Sequence, residues 1–208
     1  MSIAEGRPMT RQPPFHQDPT RLAAAILFSA AMIGFTIYAA RSGNSEFLFY
    51  AGTMVIMAGV VIAVDRAVRF SPVVIAGLLA WAILHLVGGN VPAGDTGVLY
   101  NFRLVPWLPK YDQAVHAFGF AISTLLSWEC LRHGIAKRTN GKPRPTLGLE
   151  AACVLMGMGL GAINEVDEII AVLAIPNTNV GGYMNTGWDL VSNLVGAVIA
   201  GMWIRVRG

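Results

Sequence analysis

Six stretches of mostly apolar residues run through the chain. Each comes close to the ~20 residues a helix needs to span a ~30 Å hydrocarbon layer. Leu22–Ala40 and Phe47–Val64 carry no charge, and Ser71–Asn90 contains only His85. The last three are interrupted by polar groups. Tyr111–Leu131 holds Asp112, His116 and Glu129, Leu147–Ile170 holds Glu150, Glu165, Asp167 and Glu168, and Gly187–Val206 holds Asp189 and Arg205. The pattern predicts an all-α, polytopic membrane helix bundle with six transmembrane helices over residues 21–208. Residues 1–20, polar and rich in proline, read as a disordered cytoplasmic tail. Of the 208 residues, 54% are hydrophobic and 13% charged. That is about half the ~25% charge of a soluble domain. The composition excludes a soluble two-domain protein, a disordered chain and a nucleic-acid-binding module.

The distribution of basic residues predicts an orientation. With the N-terminus in the cytoplasm, twelve Lys and Arg fall on the inner side, and only Arg41, Arg103 and Lys110 on the outer side. This is a strong positive-inside bias, with both termini expected in the cytoplasm. The most basic segment, Arg132–Arg144, is expected to be a cytoplasmic loop. The first apolar run is longer than the ~7–15 residues of a signal-peptide core, so it reads as an uncleaved anchor. Cys130 and Cys153 fall at the cytoplasmic side, where thiols stay reduced, and read as small apolar packing residues.

An ionisable residue inside a membrane span points to a functional site. At 1.5 Å rise per residue, His85 lies roughly 20 Å up the third helix and Glu165 about 27 Å up the fifth. Asp112 and His116 lie within about 8 Å of the outer boundary, and Asp189 and Asn193 within roughly 10 Å. Four helices thus bring their polar residues to one level. The faces agree too, because residues three and four apart share a helix face. Asp112, His116, Gly119, Ser123 and Ser127 form one stripe, Gly157, Gly161, Glu165 and Glu168 a second, and Asp189, Asn193, Gly196 and Ala200 a third. Small residues below allow close helix approach, with the Gly157/Gly161 pair read as intramolecular packing, and the ionisable groups above line a pocket. Asp167 points off that face. The segments Val91–Lys110 and Pro176–Thr186 read either as a cover for the pocket or as ordinary connectors.

These motifs resemble a known family. His85-Leu-Val-Gly-Gly89 ends the third helix, Tyr111-Asp-x-x-x-His116-x-x-Gly-Phe120 opens the fourth, Glu165-x-x-Glu168 closes the fifth and Trp188-Asp189-x-x-x-Asn193-x-x-Gly196 opens the sixth. In order and spacing they are similar to the YjdF-like family of bacterial inner-membrane proteins, a domain of unknown function with distant similarity to VanZ-like membrane proteins. The resemblance covers roughly residues 25–205 and implies the fold, but no settled activity. The family often has a Gln-Gly-Asp-x-Trp-Asp-x-Gln segment before its last helix. Here only Trp188-Asp189 carries over.

Three functions follow from the polar level. Histidines and carboxylates on packed helices are the materials of a site for Zn²⁺, Mn²⁺ or Fe²⁺. The expected ligands are His85 and His116 with Glu165 or Asp189, supported by Asp112, Glu168 and Asn193. Such a site would serve a metal-dependent enzyme acting on a lipid-linked or exported substrate, with His116, Glu165 and Asp189 as the catalytic residues. A metal-free variant uses His116 and Glu165 as acid and base. Proton- or ion-coupled transport is the second function, poorly provided for because the inner halves of these helices hold little that ionises. The third is structural or partner-binding, the polar groups holding the helices together. The lipid bilayer is the expected partner, with a lipid or small-molecule substrate.

Overall fold

The computed structural model describes residues 18–103, 105–139 and 141–207. They form six α-helices: α1 (Pro19–Ser42), α2 (Ser45–Val68), α3 (Pro72–Asn90), α4 (Tyr111–Thr139), α5 (Leu147–Ala174) and α6 (Tyr183–Arg207). All six are long and apolar enough to cross a membrane. Two short 3₁₀ turns, Gly94–Thr96 and Leu99–Asn101, lie between α3 and α4.

Local chemistry sets the helix ends. Asp18 caps α1 by accepting from the Thr20 and Arg21 amides, at 3.1 and 3.2 Å, and Pro19 opens the helix. Gly43 ends α1 with φ 72°, a left-handed conformation that glycine adopts without a Cβ penalty. Asn44 then caps α2, so a two-residue turn folds α2 back along α1. Of the tail expected over 1–20, residues 1–17 lie outside the described residues, and Pro19 and Thr20 already belong to α1.

The helices outrun the expected spans at several ends. Most of the expected Arg132–Arg144 loop is helical, because α4 continues to Thr139. At 29 residues it is about 43 Å long, more than the hydrocarbon layer requires. Its last turn carries Lys137 and Arg138, which favour a helix C-terminus. Likewise α6 starts at Tyr183 rather than Gly187, taking in residues expected to be loop.

Helix α4 packs most extensively on α6, α5 leans on both, and α3 joins this group to α1. The three predicted stripes meet at the centre. A Cβ on Gly196 would strike the Ala117 backbone carbonyl on α4, one on Gly157 would strike Thr124, and one on Gly161 would fall 2.7 Å from Asn193 Nδ2. The Gly157/Gly161 pair therefore serves packing within the chain. Ser123, Thr124 and Ser127 donate to carbonyls one turn back, at 3.0, 2.7 and 2.8 Å. Cys153 is fully buried beside Trp128 and Ile204. Large apolar residues such as Ile33, Ile56, Leu155, Ile163 and Ile199 face outward, as a lipid-facing surface requires.

At the end bearing the α2–α3 turn, Arg21 joins α1 to α2. Its Nε and Nη2 donate to the Asp65 carboxylate at 2.6 and 2.8 Å, Nη2 also to the Phe70 carbonyl at 2.8 Å, and Nη1 to Asp18 at 2.5 Å. Glu129 accepts the Ser71 amide at 2.8 Å, and Glu150 pairs with Arg205 at 3.2 Å. These two carboxylates are thus engaged, one by a backbone N–H and one by α6.

Candidate metal centre

The opposite end, where α1–α2, α3–α4 and α5–α6 connect, carries the ionisable cluster. His116 sits at its middle, one turn into α4. Its Nε2 lies 3.5 Å from Asp112 Oδ1 and 3.7 Å from Glu168 Oε1. Its Nδ1 lies 3.5 Å from Glu165 Oε1 and 3.1 Å from Asn193 Oδ1. The i,i+4 spacing of Asp112 and His116, the i,i+3 spacing of Glu165 and Glu168, and the i,i+4 spacing of Asp189 and Asn193 aim each pair from its own helix at this point.

Among the described residues, two groups of three have ligand atoms within 4.8 Å of one another: Asp112, His116 and Asp189, and His116, Glu165 and Glu168. Asp112 and Glu168, expected as supporting residues, fall within these two groups. Asn193 stands beside the imidazole.

Burial here is deep. His116 is 3% exposed, Glu165 4%, and Asp189 and Asn193 0%. Yet both oxygens of Glu165, Oδ1 of Asp189 and Nδ2 of Asn193 have no hydrogen-bond partner among the described residues. Buried carboxylate oxygens without partners are costly and rare in folded proteins.

His85 belongs to neither group. It sits in an aromatic box with ring centroids of Phe47, Tyr50 and Tyr100 at 6.0, 5.8 and 5.4 Å. The Tyr100 hydroxyl donates to the His85 carbonyl at 3.1 Å and shares a hydrogen bond with its Nδ1. Burial pushes the Tyr100 phenol well above its usual pKa, so it stays a donor. Depth along α3 was readable from helix rise, whereas the direction α3 faces was not. Asp167 is half-buried and outside both groups.

The connecting segments engage the cluster. Asn185 donates to Asp189 Oδ2 at 2.5 Å and accepts from the Lys110 ammonium, tying the end of the α3–α4 segment to α6. Asn179, on the α5–α6 loop, donates its backbone and side-chain N–H to Glu46 Oε2 at 2.7 and 2.9 Å. Asn164 donates to Glu168 Oε1 at 3.2 Å. Sequence reading missed Glu46, Asn179, Asn185 and Asn164. Asn185 was findable, since it precedes Asp189 by one turn, and Asn164 precedes Glu168 likewise.

The family model described as "Predicted membrane protein (DUF2238)" matches residues 21–208, which takes in the whole cluster and nearly all of the six helices. The chain belongs to the DUF2238 family. This is the family of unknown function that the spaced motifs resemble. The DUF2238 protein is thus a membrane protein whose conditions are those of a lipid bilayer. No curated protein and no solved structure matches it.

Proposed function

We propose that this DUF2238 protein binds a divalent metal ion, Zn²⁺, Mn²⁺ or Fe²⁺, between α4, α5 and α6 and uses it in hydrolysis of a lipid-linked or exported substrate. We place it in the bacterial inner membrane, termini in the cytoplasm and cluster toward the outer leaflet, on the positive-inside distribution of its Lys and Arg. The observation that carries the metal reading is the Glu165 carboxylate, 4% exposed with neither oxygen hydrogen-bonded among the described residues, grouped with the His116 imidazole and Glu168. A cation supplies what those oxygens lack.

With its Nδ1–H donating to Asn193 Oδ1, His116 presents the Nε2 lone pair toward Asp112 and Glu168. That is how a ligating histidine is usually held. When bound, a divalent ion lowers the pKa of water and polarises an ester or phosphoryl oxygen. Glu165 has two acceptor oxygens, so one can ligate while the other takes the proton of an attacking water. Asp189 holds one oxygen on Asn185 and presents the other.

The two alternatives are less well supported. A cluster that served only to join helices would have its oxygens in hydrogen bonds. A transport path needs free polar groups toward the other end, but Ser123, Thr124 and Ser127 bond to their own helix, and Glu129 and Glu150 are engaged.

The test is equilibration of the purified protein with each of the three ions, followed by elemental analysis and assay of product release from a bacterial lipid extract. At least one ion per chain is expected, lost in the Glu165→Gln/Asp189→Asn variant with an unchanged size-exclusion profile. No uptake of any of the three ions by the intact protein would overturn the reading.

A further inference from the structure

The end of the bundle away from the cluster carries positive charge that the protein does not neutralise. Among the described residues its carboxylates are all engaged: Asp18 and Asp65 by Arg21, Glu129 by the Ser71 amide and Glu150 by Arg205. None of Arg132, Lys137, Arg138, Lys142, Arg144 and Arg207 is paired with a carboxylate among the described residues. Cations gathered in this way repel one another and set up a field that draws anions.

The fold fixes where these cations stand. Because α4 stays helical to Thr139, Arg132, Lys137 and Arg138 project from a rigid element. At 1.5 Å per residue, Arg132 and Lys137 lie about 32 and 39 Å along α4 from Tyr111. With Tyr111 near the opposite boundary of a ~30 Å hydrocarbon layer, that is the depth of the headgroups, which bring the bilayer to ~40–45 Å. Helix α6 ends beside the start of α5, since Arg205 reaches Glu150 and a Cβ on Gly201 would fall 2.9 Å from Val154. Arg207 therefore stands at the same end as Lys142 and Arg144, which lead into α5. Apolar surface continues up to the cations. Leu147, Trp203 and Val206 are exposed, and the Arg207 guanidinium lies 5.2 Å from the centre of the Trp203 ring. An exposed indole under a cation suits the boundary between acyl chains and headgroups. A soluble acidic protein or a nucleic acid would use the cations alone, whereas a lipid uses both surfaces.

We infer that this end of α4, α5 and α6 binds anionic phospholipid, phosphatidylglycerol or cardiolipin, with the phosphodiester among the cations and the acyl chains along Leu147, Trp203 and Val206. The inference is independent of the metal reading. It also goes beyond orientation. A positive-inside bias acts while the chain inserts, whereas these cations remain unpaired in the folded protein. Each Lys or Arg close to an anionic headgroup counts for about 5-fold in affinity, so even two of them engaged together give a marked preference over a neutral lipid.

The experiment is native mass spectrometry of the purified protein in detergent with equal amounts of phosphatidylglycerol, cardiolipin and phosphatidylcholine, where orientation in a membrane plays no part. Anionic lipid should be retained at least about 10-fold over phosphatidylcholine. The Lys137→Gln/Arg138→Gln/Lys142→Gln/Arg144→Gln variant should lose most of that preference. Arg41→Gln/Arg103→Gln, at the opposite end, should keep it. Equal retention of the three lipids by the intact protein overturns the inference, as does a fourfold variant that keeps the preference. Equal losses in the two variants also overturn it, since net charge rather than this surface would then be the cause. Should the fourfold variant not fold, Arg138→Gln and Arg144→Gln take its place singly. Each is then expected to lose about 5-fold, and no loss in either overturns the inference.

Discussion

Asn193 Oδ1 stands 3.1 Å from Nδ1 of His116, across the α4–α6 interface. Asn193 is wholly buried, so the ring it faces has little freedom to turn. Replacing Asn193 by alanine is expected to weaken metal binding by about 10–100-fold, the usual effect of losing a partner that orients a ligating histidine. Asn193→Asp, which keeps an acceptor at that place, should recover most of the affinity. Titration of the two variants by calorimetry checks this, and equal losses in both would contradict it.

Gly196 lies where α6 passes closest to the α4 backbone. A side chain there meets the Ala117 carbonyl, which cannot rotate away as a side chain can. Gly196→Val should destabilise the protein by ~1–3 kcal/mol through overpacking. Gly34→Ala, where the added Cβ meets open space, should leave stability unchanged or raise it by up to about 1 kcal/mol. Thermal unfolding in detergent compares the two.

Arg21 and Asp65 form a buried ion pair at 2.6 Å, with Asp65 2% exposed. Removing the guanidinium leaves a buried carboxylate without its cation. Arg21→Ala is expected to cost about 3–5 kcal/mol, whereas the Arg21→Met/Asp65→Leu pair should cost much less. Denaturation of the single and double variants tests this, and equal losses would show that packing, not charge, holds α1 in place.

Tyr100 fixes the α3–α4 segment to His85. Tyr100→Phe removes the hydroxyl and leaves the half-buried His85 Nδ1 without that partner, a loss of about 1–3 kcal/mol. Amide exchange over residues 94–101 should quicken by roughly 5- to 150-fold, as read by mass spectrometry. Unchanged exchange would show that the aromatic contacts alone hold the segment.

Orientation is checked by cysteine labelling in a background of Cys130→Ala and Cys153→Ala. Trp107→Cys, at a position 82% exposed, should react with an impermeant maleimide in intact spheroplasts. Lys142→Cys should react only after lysis. The opposite pattern would place the cluster on the cytoplasmic side.

The six helices were legible because a membrane demands long apolar runs, and such runs leave few alternatives. Meeting of the polar stripes on α4, α5 and α6 was legible because rise and periodicity give height and face. His85 shows where this stops. Its height matched the cluster, but α3 packs on both α1 and α4, and no periodicity tells which neighbour a side chain will face. The pairs Arg21–Asp65, Glu46–Asn179 and Lys110–Asn185 were hidden for a related reason. Each joins residues at least 44 positions apart at helix ends or in the connecting loops, where polar residues are common and carry no depth signal.

One amide, that of Asn185, grips Lys110 on one side and Asp189 on the other. Parting the α3–α4 segment from the start of α6 breaks that grip and frees an oxygen of Asp189. If a metal is held there as proposed, loosening this end of the bundle and freeing a ligand are one event, and occupancy should set how readily the two part.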